Sequence, residues 1–154
     1  MIRPLRSSNF STARQTNRRG AAVVEMAVIL PVFMMVLLGI VEFGRAMMVT
    51  QIVSNAAREG ARRAILNGST NATVSADIAE FVSSTCRVDT TSISVEITIQ
   101  AGPDNPNPLD QLANANEGDL VTVRVRVPFQ EVSYIRGNYL NGMEINGQAT
   151  MRHE

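Results

Sequence analysis

Residues 18–66 read RRGAAVVEMAVILPVFMMVLLGIVEFGRAMMVTQIVSNAAREGARRAIL. Met26 to Val41 is a run of sixteen residues without a charge, and counting back to Ala21 gives twenty-one with only Glu25 inside. That matches the ~20 apolar residues a bilayer-spanning helix needs. Ahead of it stand Arg3, Arg6, Arg14, Arg18 and Arg19, with no acid among the first twenty residues. By the positive-inside bias the N-terminus stays in the cytoplasm and the chain after Val41 is exported. The expected arrangement is a basic leader over 1–20, a transmembrane helix over 21–44 and an exported domain over 45–154.

Glu25 is the odd residue of this stretch. It lies four residues past Ala21, roughly 6 Å at ~1.5 Å per residue, and therefore near the membrane edge, where an ionisable group still needs a reason. A cut between Gly20 and Ala21 would supply one. The new amino group would be positive, at the head of the helix, and able to meet Glu25 of a neighbouring subunit. Gly20, without a side chain, leaves the backbone open to a protease and separates the basic leader from the apolar helix.

Arg18-Arg19-Gly20-Ala21-Ala22-Val23-Val24-Glu25, then Pro31, Glu42-Phe43-Gly44-Arg45 and Asn55-Ala56-Ala57-Arg58-Glu59-Gly60-Ala61-Arg62, together resemble the TadE-like family. These are minor pseudopilins of the tight-adherence secretion system, which builds Flp-type (type IVb) pili. The resemblance is close over residues 18–66. It implies that a prepilin peptidase cuts after Gly20 and that Glu25 is the glutamate at mature position five. Met26 departs from the pattern, because many such proteins carry an aromatic residue there.

The rest of the composition narrows the function. The chain has 154 residues, fourteen arginines, no lysine and fourteen acids. Five arginines are in the leader, so the remainder holds nine arginines against fourteen acids, a net charge of −5. A nucleic-acid-binding domain would carry a basic patch; none is expected here. Residues 1–19 are too polar to bury a core and read as a disordered leader. An ordinary secretory signal peptide competes with this reading, but its apolar run spans about 7 to 15 residues and ends at a small-x-small site. This run is longer and passes straight into Glu42-Phe43-Gly44-Arg45.

Pro31 removes one backbone hydrogen bond, which membrane helices tolerate. Beyond Val41 the pattern becomes amphipathic: Met48, Ile52, Val53, Ala56, Ala57, Gly60, Ala61, Ala64 and Ile65 recur at three- and four-residue steps. One helix is expected from about Ala21 to Leu66. Ala57, Gly60, Ala61 and Ala64 leave a shallow groove where a sheet or helix can approach the backbone, while Arg58, Glu59, Arg62 and Arg63 read as a solvated face with ordinary ion pairs. Ala21, Ala22, Gly39 and Gly44 would allow close helix approach within a bundle.

Asn67-Gly68 marks the helix end. Asn71 or Thr73 is expected to cap a second helix that places Val74, Ile78, Phe81 and Val82 on one face and stops near Cys86. Ile93, Val95, Ile97 and Ile99 then alternate with polar residues, as do Val121, Val123, Val125 and Val127 up to Pro128. Both are strands with one buried face. Met143, Ile145, Ala149 and Met151 repeat the pattern more weakly, with Gly147 in the position of a bulge. The fold class is α+β: a long N-terminal helix, a second short helix and a small antiparallel sheet of about three strands.

Residues 102–118 form a Pro-, Asn- and Asp-rich loop. Asp104, Asn105, Asn107, Asp110, Asn116, Glu117 and Asp119 offer oxygen ligands of the kind calcium uses, but without the spacing of a calcium loop. Turn chemistry explains them without a metal. His153, the only histidine, reads as a solvated tail residue. Cys86, the only cysteine, can form no internal disulfide and reads as a small buried apolar residue. The sequons at Asn67 and Asn71 read as turn and cap residues. No catalytic triad, phosphate loop, metal motif or cofactor site is recognised.

The sequence thus describes a non-enzymatic, single-pass protein of a bacterial inner membrane. The implied partners are membrane lipid, the prepilin peptidase and other pilin or pseudopilin subunits, met through the N-terminal helix. A different class competes: a constitutively anchored extracytoplasmic binding module that joins no pilus. Processing at Gly20 separates the two.

Overall fold

The computed structural model describes residues 14–134 and 142–153, with side chains described from Gly20 onward. The leader charges Arg18 and Arg19 therefore have side chains outside the described residues, and Arg3 and Arg6 lie outside them altogether. The chain divides into two compact units, Met1–Ile40 and Val41–Glu154.

Helix α1 spans Arg14–Ala64 and contains Pro31. It begins ahead of the expected Ala21, because nothing between Arg14 and Gly20 stops a helix: a single internal glycine costs only ~1 kcal/mol. In the first unit its apolar side chains, Ile29, Phe33 and Met35 among them, are exposed. The most apolar part of the helix is not buried against any of the described residues. By length and composition this helix can cross a membrane.

In the second unit, α1 turns Val49, Val53, Ala56, Ala57, Gly60, Ala61 and Ala64 into the core. Met48, expected on this face, is exposed and Val49 takes the place. Val49 is four residues before Val53 and shares its stripe, whereas Met48 falls about 100° away around a 3.6-residue helix. The helix closes through a turn in which Gly68 takes φ +87°, a conformation glycine adopts without strain.

Helix α2, Asn71–Cys86, is capped by Thr70, not by Asn71 or Thr73. The Thr70 hydroxyl accepts from the Thr73 N–H and the Thr73 hydroxyl accepts from the Thr70 N–H, both at 3.3 Å. This reciprocal box satisfies two donors that a helix start otherwise leaves open. The buried stripe is Val74, Ile78, Val82 and Cys86, while Phe81 is half-exposed. That strict four-residue step makes the buried stripe narrow, and Phe81 falls on its flank.

Strands β1 (Ser94–Gln100), β2 (Leu120–Pro128) and β3 (Glu144–Arg152) form one antiparallel sheet in the order β1-β2-β3. Val121, Val123, Val125 and Val127 are completely buried on its inner face. Burying each contributes about 1.5–3 kcal/mol. The outer face is polar: Arg126 pairs with Glu96 at 2.5 Å, Arg124 donates to Gln148 at 3.0 Å, and Thr122 meets Thr150 at 2.8 Å. A single turn of helix, α3 (Phe129–Val132), follows β2.

Gly147 is not a bulge. The pairing of β3 with β2 runs unbroken from Leu120–Arg152 to Pro128–Glu144, with Val125 opposite Gly147. The glycine is required by what lies beneath it: a Cβ there would stand 2.7 Å from the Val53 carbonyl and the Ser54 nitrogen of α1. Met143, expected on the inner face, precedes β3 and is exposed.

Candidate functional site

Gly20, Ala21 and Glu25 occupy consecutive turns of α1, all exposed. A Cβ at Gly20 would meet nothing within 4 Å. Among the described residues no contact demands glycine at this position. Among the described residues Glu25 forms no ion pair.

The small residues of the second half of α1 lie under α2 and the sheet. A Cβ at Gly60 would fall 2.3 Å from Cδ1 of Ile78 on α2 and 3.3 Å from Val123 on β2. Ala57, Ala61 and Ala64 are likewise buried. With Gly147 above Val53, two glycines from different elements bring helix and sheet closer than side chains would allow. On the exposed flank of this contact Arg63 bonds Asp77 of α2 at 2.8 Å and Glu59 at 3.3 Å, both exposed pairs of small energetic weight.

Glu42 and Arg45 belong to a motif of the sequence that assigns them no role of their own. In the structure they tie the end of α2 and the segment after α3 to α1. Arg45 donates from Nη2 to the Cys86 carbonyl at 2.9 Å and from Nε to the Val132 carbonyl at 3.2 Å, and its guanidinium lies 5.3 Å from the Tyr134 ring centroid. It thereby puts a cation on the C-terminus of α2, where the helix dipole favours one. Glu42, one turn earlier, accepts from the Ser133 hydroxyl and from the Tyr134 N–H. The sequence signal for this role is a pair of opposite charges three residues apart on a helix that has just left an uncharged run.

The loop between β1 and β2 is organised by carboxylates acting as acceptors. Asp119, completely buried, accepts from the Gly102 N–H at 2.8 Å, the Asn116 N–H at 2.8 Å and the Asn105 amide at 2.6 Å. These bonds hold its carboxyl below the usual carboxylate range, the Asn116 bond contributing most. Asp110 accepts from the Ile99 N–H, and Asn71 reaches the loop from α2, donating to the Asp110 carbonyl and accepting from the Leu112 N–H. No group of three or more metal-ligating side chains gathers among the described residues. The oxygens considered for calcium at Asp119 already face N–H groups.

His153 is not a solvated tail residue. It is buried and continues the strand pairing, donating its N–H to the Asp119 carbonyl and accepting from the Gly118 N–H. Two extra ladder bonds past Arg152 draw it in. Cys86 is free and buried; burial pushes its thiol up and Arg45 draws it partly back. A thiol so placed is a poor nucleophile.

No curated protein and no solved structure matches the chain. The description "TadE-like protein" matches residues 20–62. The match starts at the glycine before Ala21, includes Glu25, Glu42 and Arg45, and ends beside the Gly60 contact. The segment of α1 from Gly20 to Arg62 is therefore TadE-like, the family its motifs resemble.

Proposed function

We propose that this protein is a pseudopilin-like, membrane-anchored component of a tight-adherence pilus assembly and secretion system. The observation that carries this reading is the TadE-like match beginning at Gly20. The helix holds the protein in the inner membrane, N-terminus inside, and the Val41–Glu154 unit faces outward. A prepilin peptidase cuts after Gly20, and the freed Ala21 amine meets Glu25 of an adjacent subunit. In an apolar setting such a pair costs less than an isolated carboxylate. The role is assembly, not catalysis.

Among the described residues nothing crowds a side chain at position 20, which makes the test clean. Gly20→Val should leave full-length protein, inserted but unassembled, which intact-mass measurement on membrane extracts from the native host reads directly. Glu25→Gln should be cut and exported but associate poorly. Cysteines at the exposed positions Gln51 and Arg58, in a Cys86→Ala background, report that association by crosslinking. If Gly20→Val gives the parent mass and Glu25→Gln crosslinks as well as the parent, the protein is better read as an anchored binding module.

A further inference from the structure

Phe43 and Met47 lie on the face of α1 turned away from the core, 66% and 55% exposed, and Tyr134 is 68% exposed. Tyr134 comes from the far side of α3, yet it stands at the same level. Its N–H donates to Glu42 at 3.2 Å, and its ring lies 5.3 Å from the Arg45 guanidinium. Phe43 is two residues past the end of the uncharged run at Val41, and Met47 six. At ~1.5 Å per residue these are ~3 Å and ~9 Å along the helix. The headgroup layer on each side of a bilayer is roughly 5–8 Å deep, the difference between a ~30 Å core and a ~40–45 Å whole.

Glu42 and Arg45 are turned inward: Glu42 is taken by Ser133 and Tyr134, Arg45 by two carbonyls and a ring. Large apolar and amphipathic side chains are left facing out, and after Met48 the outward positions become Thr50, Gln51 and Asn55. A tyrosine, with an apolar body and a polar tip, suits headgroup depth. We propose that Phe43 and Tyr134, with Met47 at the outer margin, form a lipid-facing belt that beds this end of the Val41–Glu154 unit into the headgroup layer. The belt spans two separate elements, which a seam for one neighbouring helix would not require. This inference rests on the reading of α1 as a membrane span.

The chain has no tryptophan, so single substitutions give a unique fluorophore. Tyr134→Trp, Phe43→Trp, Phe33→Trp and Leu109→Trp are reconstituted as full chains in vesicles of phosphatidylethanolamine and phosphatidylglycerol. The lipid carries a nitroxide either at the headgroup or deep in the acyl chain. Phe33 reports the span; Leu109 lies on the loop tied to the opposite end of α2, a 16-residue helix. Tyr134→Trp and Phe43→Trp should be quenched several-fold more by the headgroup label than Leu109→Trp, and Phe33→Trp chiefly by the deep label. If Phe33→Trp is quenched but neither belt position exceeds Leu109→Trp, the belt is overturned and the span stands. An unquenched Phe33→Trp overturns both. Belt emission that responds to protein density and not to labelled lipid assigns the surface to a second copy and also overturns the proposal.

Discussion

Gly147 of β3 rests on the peptide of Val53 in α1, with space for a hydrogen but not for a methyl group. A Cβ would stand 2.7 Å from the Val53 carbonyl carbon and oxygen. Backbone atoms of a helix cannot rotate out of the way, so Gly147→Ala must separate helix from sheet. Overpacking of this kind costs about 1–3 kcal/mol. Cys86, the single buried thiol, reports it: its labelling rate follows the population of opened molecules. At about 1.4 kcal/mol per tenfold, Gly147→Ala should speed labelling by roughly five- to a hundred-and-fortyfold. A rate equal to the parent's would show that β3 and α1 do not hold this spacing.

Gly60 faces a softer neighbour. The nearest atom to its virtual Cβ is Cδ1 of Ile78, the far end of a side chain that has other rotamers. Gly60→Ala should therefore cost less than Gly147→Ala, helped by ~1 kcal/mol of helix propensity. Gly60→Leu exceeds what Ile78 and Val123 can yield and should destabilise by about 1–3 kcal/mol. Slower thiol labelling with leucine than with glycine would contradict the packing described.

Arg45→Ala would leave the Cys86 and Val132 carbonyls without their shared donor. Hydrogen bonds to a charged group contribute about 1.5–3 kcal/mol each when sheltered, less at this half-exposed site. Hydrogen exchange should rise in α3 and the last turn of α2. Arg45→Lys should recover only part, because an ammonium lacks the planar fork that reaches both carbonyls. Equal protection in the lysine variant and the parent would show that the fork is not needed.

Acid should loosen the loop through Asp119. Its folded pKa is lowered by N–H donors, so its contribution is fully present above the unfolded value, about 3.9, and is lost as pH falls through the folded value. Asp89, held low by Thr91, acts in the same direction. Asp119→Asn should lower stability at neutral pH and flatten the acid limb of the stability curve. Cys86 labelling with an aromatic disulfide that reacts in acid measures both. An acid limb as steep as the parent's would assign the acid sensitivity elsewhere.

Periodicity makes the elements legible in the chain itself. The two-residue alternation through Val121–Val127 and Ile93–Ile99 depends on strand geometry alone, and β2 and β1 lie there. The uncharged run around Pro31 likewise announces a helix able to cross a bilayer, since length and composition suffice. The small residues at 57, 60, 61 and 64 mark the face where something approaches closely, though not what.

The kind and order of the elements and the TadE-like character of residues 20–62 are thus written in local spacing. Tertiary structure alone decided which atoms meet. Val49 and not Met48 enters the core, and Phe81 stays outside, because a helical period defines a stripe but the partner surface selects its edges. Gly147 reads as a bulge in the sequence because its reason, the Val53 carbonyl, is nearly a hundred residues away in the chain. Glu42 and Arg45 find Ser133, Tyr134, Cys86 and Val132 across separations of 41 to 92 residues. His153 is drawn inside by two backbone bonds to residues 118 and 119. Contacts between residues so far apart leave no periodic trace, and only the folded chain brings them within bonding distance.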